Sequence, residues 1–210
     1  MAIKPILFNK QISTEMVRAI LDGRKTCTRR LVRFLPGENP QWTGYIRDGL
    51  MLYNGRNEPC IIKAPYQPGD TLYVRETWCG LPVNEAGHMR GHTIYYYKAD
   101  GELRPKGWRG TWHPSIHMPK EASRIWLKVT NVRVERLQEI SEDGAKAEGA
   151  NFKNGKNVGF EEKMNRTAIE RFTEIWNSTI KKSDLDRYGW DANPWVWVIE
   201  FERCEKPEGV

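Results

Sequence analysis

Three stretches of the chain are predicted to be helices, at residues 13–22, 141–149 and 160–180. The first and the third have the spacing of an amphipathic helix, with an apolar residue every three or four positions. Ser13 or Thr14 is expected to cap the first helix, and Gly23 suits the left-handed backbone that ends it. The second helix, with Ser141 at its start and Gly149 at its end, is predicted to be only about two turns long.

Other stretches are rich in β-branched and aromatic residues or alternate between apolar and polar positions, as strands do. They cover residues 49–53, 60–63, 71–76, 93–98, 124–136 and 194–203. A turn at residues 68–70 leads into the third strand, and a bulge or turn is expected at Asn131. In the first half of the last strand, the residues that point to one face and those that point to the other are all apolar. We therefore expect that half to be buried on both faces.

About five or six short strands with three helices favour the α+β class, in the form of a small mixed β-barrel or a strongly curved sheet with flanking helices. Strand and helix do not alternate regularly enough for a doubly wound parallel sheet. A single domain over residues 1–210 is predicted.

Composition narrows the class of protein. The chain has 210 residues, of which 39% are hydrophobic and 29% charged, with nine Trp and eight Tyr, so it is too aromatic for a disordered chain. No apolar run reaches the ~20 residues of a membrane helix, and the first residues do not form a signal peptide, so we expect a cytoplasmic protein with no membrane partner. The net charge of +6 favours anionic partners, nucleic acid first.

The four cysteines lie far apart and include no C-x-x-C pair, so neither a zinc ribbon nor a thioredoxin-type site is expected. His113 and His117 have i, i+4 spacing, but Pro114 and Pro119 flank them and no third ligand is near in sequence. We therefore predict no metal and no cofactor. The oligomeric state stays open.

Four segments follow one another in an informative order. They are Gly23-Arg24-Lys25-Thr26-Cys27-Thr28-Arg29-Arg30, the Gly69-Asp70-Thr71-Leu72 strand entry, the acidic helix at residues 140–149 and the closing strand at residues 195–201. Together they resemble the ASCH family, relatives of the PUA fold, and most closely its longer members found in bacteriophage and prophage genomes.

The resemblance implies a PUA-like β-barrel with a cleft suited to RNA or a nucleobase. One small bacterial branch of the family is an amidohydrolase that removes the acetyl group from N4-acetylcytidine with a Lys, a Thr and a Glu. By motif position these fall on Lys25, Thr28 and Glu148, and a further Arg of that branch falls on Arg30. Compared with that branch, this chain has additional residues near 36–66, 79–122 and 150–163.

The chemistry of these residue types leaves two questions open. A threonine hydroxyl is a poor nucleophile without an adjacent base, and a lysine is a base only in its neutral form. Burial or a nearby cation favours neutral Lys25, whereas a carboxylate from Glu148 favours the charged form. On an ideal strand Lys25 and Thr28 point to opposite faces, so they converge only if the segment turns or bulges.

Other candidates have two interpretations each. Arg24, Arg29 and Arg30 are either surface charges or phosphate-binding residues at the rim of the cleft. Glu76 is either an ion-pair partner at a strand edge or a cleft residue. Trp78 either packs or stacks on a base.

A second segment has the composition of a nucleic-acid surface. Residues 98–117 mix cations with aromatic side chains, as a single-stranded nucleic-acid surface does, although packing of the tryptophans explains the same pattern.

Two functions from different classes follow. The first is a binding module that holds RNA, a nucleoside or a nucleotide near Lys25, Thr28 and Glu148, with the arginines on phosphate. The second is an amidohydrolase that acts on N4-acylated cytosine nucleosides, with Thr28 as nucleophile and Lys25 as base. A nuclease is a weaker third alternative.

Overall fold

The structure is a computed structural model that describes residues 1–10, 12–33, 52–53, 59–60, 63–83, 92–101, 110–150 and 166–209. Its helices are α1 (Ser13–Leu21), α2 (Glu142–Ala147), α3 (Ala168–Thr179) and α4 (Leu185–Tyr188). Its strands are β1 (Ile3–Leu7), β2 (Cys27–Leu31), β3 (Leu52–Tyr53), β4 (Pro59–Cys60), β5 (Thr71–Arg75), β6 (Trp78–Val83), β7 (His92–Tyr97), β8 (Trp126–Arg136) and β9 (Trp195–Cys204). None of the described helices is long and apolar enough to cross a membrane.

The chain forms two compact units. The first contains Met1–Gly23, Thr71–Leu127 and Arg203–Val210. Within it β1 runs parallel to β5, with Ile3 opposite Thr71, and β6 pairs with β7 in antiparallel fashion. The apolar side chains of this unit that are fully buried include Ile6, Val17, Ile20, Leu72 and Val74.

The second unit contains Arg24–Asp70 and Lys128–Glu202. Strand β2 runs antiparallel to β9, with Cys27 opposite Glu200 and Leu31 opposite Val196. Helices α2 and α3 pack in this unit, and Phe172 and Trp176 of α3 are buried. The four residues at positions 196–199 are all buried, which confirms the prediction that this strand is covered on both faces.

The strand order confirms the α+β class and the mixed sheet. Among the described strands, five form one mixed sheet in the order β1-β5-β8-β9-β2, and β3–β4 and β6–β7 form separate two-stranded sheets. The larger sheet is not closed into a barrel, because β1 and β2 are its two edges and, among the described strands, do not pair with each other. Strands β6 and β7 pair with one another instead of extending the sheet.

Most predicted elements are confirmed where the structure describes them. Gly23 and Gly149 have φ of +72° and +84°, as the predicted helix ends require. The expected capping of α1 is wrong, since Ile12 is its N-cap and Ser13 is already its first helical residue. Strand β1, strand β6 and helix α4 were not predicted, and β1 contains a proline that weakened its strand pattern.

Several predictions lie outside the described residues. These are most of the segment near 36–66, nearly all of the segment near 150–163, the start of the predicted helix at 160–165, and the cations and aromatics at 102–109.

Candidate functional site

The backbone of the second unit brings the segment after α1 against the end of α2. The Thr26 amide donates to the Ala147 carbonyl at 2.8 Å, and Lys25 and Glu148 form an isolated antiparallel bridge. On the other side the Phe201 amide of β9 donates to the Thr26 carbonyl at 2.9 Å. Residues 25 and 148 are therefore neighbours although they lie far apart in the sequence.

The amino group of Lys25 faces three hydrogen-bond acceptors. Its Nζ donates to Glu148 Oε2 at 2.6 Å, to the Glu148 carbonyl at 2.8 Å and to the Cys27 carbonyl at 2.8 Å. Lys25 is 3% exposed and Glu148 7%. Three acceptors match the three donors of an ammonium, so the geometry is that of a buried ion pair that has its hydrogen bonds satisfied.

Arg29 extends this ion pair along β2. Its Nη1 lies 3.4 Å from Glu148 Oε1, and its Nε and Nη2 donate to Glu135 Oε1 at 2.9 and 2.5 Å. Burial lowers the pKa of Arg29, but the carboxylates of Glu148 and Glu135 outweigh burial and raise it above its usual value. The guanidinium is therefore charged, and two carboxylates surround it.

Cys27 lies between these charges and is inert. Its Sγ is 3.8 Å from Arg29 Nη1 and 4.0 Å from the Gly144 carbonyl, and the residue is 4% exposed. Burial, reinforced by the charge of Glu148, raises the pKa of the thiol to about 12. A thiol in this state is a small neutral core group and not a nucleophile.

Thr28 is adjacent in sequence but does not join the ion pair. It pairs with Ile199 and is buried, and strand alternation places it on the face of β2 opposite Cys27 and Arg29. None of the hydrogen bonds formed within the described part of the chain involves its hydroxyl. Of the three residues that the resemblance selected, the structure brings Lys25 and Glu148 together and leaves Thr28 without a hydrogen bond to either.

Two further arginines of the same segment are half-buried, and strand alternation places Arg30 on the Thr28 face of β2. Arg24 precedes Lys25, and Arg30 lies opposite Trp197 in the register of β2 with β9. Burial raises the pKa of the Tyr66 hydroxyl, and the charge of Arg30 opposes this effect, so Arg30 lies within electrostatic range of Tyr66. Both arginines are more accessible than Arg29.

Glu76 lies in the first unit and forms an ion pair there. Its two carboxylate oxygens accept from Arg124 Nε at 3.0 Å and Nη2 at 3.1 Å, and Arg124 also holds Asp100 at 2.7 and 2.8 Å. Burial raises the pKa of Glu76, and the hydrogen bonds from Arg124 pull it back. The Arg124 guanidinium lies 4.0 Å from the centre of the Tyr97 ring.

Trp78 packs against other rings of the same unit. Its ring centre lies 5.1 Å from that of His113 and 5.8 Å from that of Tyr95. Trp78 is half-buried, and its buried indole N–H has no hydrogen-bond partner among the residues that the structure describes.

No group of three His, Cys, Asp or Glu side chains that could hold a metal ion occurs in the described ranges.

Sequence reasoning missed Glu135 and Arg124, which complete the two ion-pair clusters. Each is a charged residue at the edge of an apolar strand pattern, and that pattern carries no sign of a distant partner. The partners Arg29 and Glu76 lie 106 and 48 residues away.

No family model matches the sequence, and no curated protein matches it. Among solved structures, the chain is similar to an ASCH domain from Lactobacillus crispatus JV V101, with 11% identity over 96% of this chain and 79% of that chain and a TM-score of 0.41. It is also similar to a DUF984 protein from Enterococcus faecalis V583, with 11% identity over 97% of this chain and 76% of that chain and a TM-score of 0.44.

Proposed function

We propose that this chain binds RNA or a modified nucleobase or nucleotide at the surface around the Lys25–Glu148 pair. The observation that carries the proposal is the 2.6 Å ion pair between these two nearly buried side chains. Burying charges costs free energy that an apolar pair of the same size would not cost. Because stability alone does not require such a pair, we assign it to the binding of a ligand.

The chemistry of each group suits such a ligand. An ionised carboxylate is a pure acceptor, so Glu148 is matched to the N–H groups on the edge of a base. Lys25 holds that carboxylate in place. Arg24 and Arg30, which are half-buried and close to Lys25 in the sequence, are matched to phosphate, which guanidinium groups bind with two parallel hydrogen bonds. The net charge of +6 favours the approach of such a ligand.

Retention of a short single-stranded RNA tests this proposal. Arg24→Ala plus Arg30→Ala is expected to weaken binding and to lower the slope of log K against log salt by about 0.7 for each phosphate that the variant no longer neutralises. Lys181→Ala plus Lys182→Ala removes the same charge from exposed positions of the same unit and is the matched control. Equal losses of affinity in the two double variants would mean that only the overall charge of the protein attracts the RNA.

A second candidate function, amide hydrolysis on N4-acylated cytosine nucleosides, is favoured by one observation. Two of the three residues that the ASCH resemblance assigns to this chemistry, Lys25 and Glu148, are in contact. In this reaction the Thr28 hydroxyl oxygen attacks the acyl carbonyl and gives up its proton. The bond from carbon to N4 breaks, the amine takes a proton, and water then hydrolyses the Thr28 ester.

The geometry ranks this second candidate below binding. Thr28 forms no hydrogen bond with Lys25, and the Lys25 amino group already faces three other acceptors. Incubation with N4-acetylcytidine separates the functions: release of cytidine that is lost in Lys25→Ala and in Thr28→Ala supports the enzyme. No turnover, together with salt-sensitive retention of RNA, supports the binding protein, and shortening of the RNA without added metal indicates a nuclease.

A further inference from the structure

Six side chains of alternating charge form a continuous series through the second unit. Each member is within ion-pair distance of the next, and the series passes from α2 and β2 to β8 and β9. Its members are Lys25, Glu148, Arg29, Glu135, Arg133 and Glu200. The side chain of Lys25 is 1% exposed and that of Arg133 is 41% exposed, so the series connects the buried pair to the protein surface.

Arg29 divides its hydrogen bonds unequally between its two carboxylates. Nε and Nη2 both donate to Glu135 within 2.9 Å, whereas Nη1 is 3.4 Å from Glu148 Oε1. The first two are strong charge-assisted bonds, and the last is at the long end for a hydrogen bond. Glu148 Oε2 is tightly held by Lys25, so Oε1 is the less engaged oxygen of this carboxylate.

We infer that Glu135 is a positioning residue, which holds Arg29 back so that Glu148 Oε1 can accept a hydrogen bond from an N–H group of the ligand. The ligand in this inference rests on the proposed function, whereas the effect of Glu135 on the position of Arg29 does not depend on it. Arg133 in turn holds the second oxygen of Glu135 at 3.2 Å, which fixes the carboxylate that Arg29 faces. If Glu135 lost its charge, Glu148 would be the remaining carboxylate beside Arg29, and the guanidinium would move onto Oε1.

Glu135→Gln tests the inference because it keeps the shape of the side chain and removes its charge. Affinity for a short single-stranded RNA is expected to fall about tenfold, although the loss of a negative charge alone would strengthen RNA binding. Glu202→Gln, at an exposed position of β9, removes the same charge and is expected to leave the affinity unchanged or slightly raised. RNA binding by Glu135→Gln that equals or exceeds that of the parent protein would overturn the inference.

Two further measurements separate positioning from a loss of stability. In the crystal structure of Glu135→Gln, Arg29 Nη1 is expected within about 3.0 Å of Glu148 Oε1, the ordinary length of such a bond, and an unmoved guanidinium would contradict the inference. In an Arg29→Met background, Glu135→Gln is expected to cause no further loss of RNA affinity, because the residue through which it acts is gone. If the losses of RNA affinity from Arg29→Met and Glu135→Gln were fully additive, the inference would be contradicted.

A negative result for RNA has its own interpretation. If the parent protein retains no RNA and no nucleoside, the proposed function fails. The position of Arg29 in Glu135→Gln still decides whether Glu135 controls the contact with Glu148.

Discussion

The charged groups of Lys25 and Glu148 are buried, and each has several partners of complementary chemistry. The ammonium has three acceptors and the carboxylate has two cations, and both residues are more than nine-tenths buried. Such a pair contributes little net stability over an apolar pair, but it is costly to break on one side only. Substitutions of Lys25 and of Glu148 are therefore expected to be strongly coupled in their effects on the free energy of unfolding.

Lys25→Met is expected to lower the free energy of unfolding by about 3–5 kcal/mol, because it leaves a buried carboxylate without its closest cation. Glu148→Gln is expected to cost less than this, since Lys25 keeps two carbonyl acceptors. The double variant is expected to lose less than the sum of the two, and urea unfolding measures all three.

The exposed pair of Lys146 and Asp143, 2.9 Å apart, supplies the control for this cycle. Lys146→Met and Asp143→Asn are expected to change the free energy of unfolding far less, because solvent screens both charges. Additive losses for Lys25→Met and Glu148→Gln would contradict the buried-pair description.

At the scale of elements, the start of α3 is capped more fully than the other helix ends of the described chain. The Thr167 side chain accepts from the Glu170 amide at 3.1 Å, and the Glu170 side chain accepts from the Thr167 amide at 2.9 Å. Glu142 of α2 adds a third acceptor, at 2.9 Å from the Ala168 amide. The contact of Glu142 joins α3 to α2, the helix whose last residue, Ala147, precedes Glu148.

Thr167→Ala is expected to lower the free energy of unfolding by about 1 kcal/mol, since it removes one cap acceptor. Thr167→Ser keeps the hydroxyl and is expected to retain most of the stability. Thermal unfolding of both variants checks this prediction, and equal loss in the two would show that the methyl group, not the hydroxyl, is what matters.

At Gly189, which follows α4, the backbone leaves no room for a side chain. A Cβ at this position would lie 2.6 Å from the Leu185 carbonyl oxygen, a backbone atom that cannot turn away. Gly189→Ala is expected to destabilise the second unit by about 1–3 kcal/mol, as overpacking does.

Gly101→Ala provides the comparison for that substitution. Its Cβ would meet none of the described atoms within 4 Å, but its φ of +88° disfavours a side chain. The expected cost is about 1 kcal/mol, from backbone strain alone. A larger loss at Gly101 than at Gly189 in urea unfolding would refute the steric argument.

At the scale of the whole molecule, each unit contains a group that resists ionisation at high pH. Burial raises the pKa of Cys27 in the second unit to about 12, and burial together with the charge of Glu76 raises the pKa of Tyr97 in the first unit to about 12. The Tyr97 hydroxyl also donates to the Ala122 carbonyl at 2.6 Å, which requires its proton.

Stability is therefore expected to fall in alkaline solution. In the unfolded chain these groups lose their protons near their usual pKa values of 9.0 and 10.0, while the folded protein keeps them up to about pH 12. Their contribution is fully present below about pH 9 and is lost as the pH rises toward 12.

Urea unfolding at pH 8 and pH 10.5 measures this effect. Cys27→Ala and Tyr97→Phe each remove one titrating group and are expected to show a smaller fall between the two pH values than the parent protein. An unchanged fall in both variants would mean that other groups control alkaline stability.

The sequence by itself determined the local elements. Periodicity specified α1, β5 and the closing strand, and Ser141 with Gly149 specified α2, because these depend on contacts within a few residues. The motif order also selected Lys25 and Glu148 through the ASCH resemblance.

Only the tertiary structure decided how these elements combine. It left the sheet open, paired β6 with β7 and placed Arg29 between Glu135 and Glu148, whereas Thr28 stayed on the other face of β2. The physical reason is that an ion pair between residues 106 positions apart depends on strand register and burial, and these are set by the packing of the whole chain. A charged residue in a strand has the same local pattern whether it faces water or a buried partner.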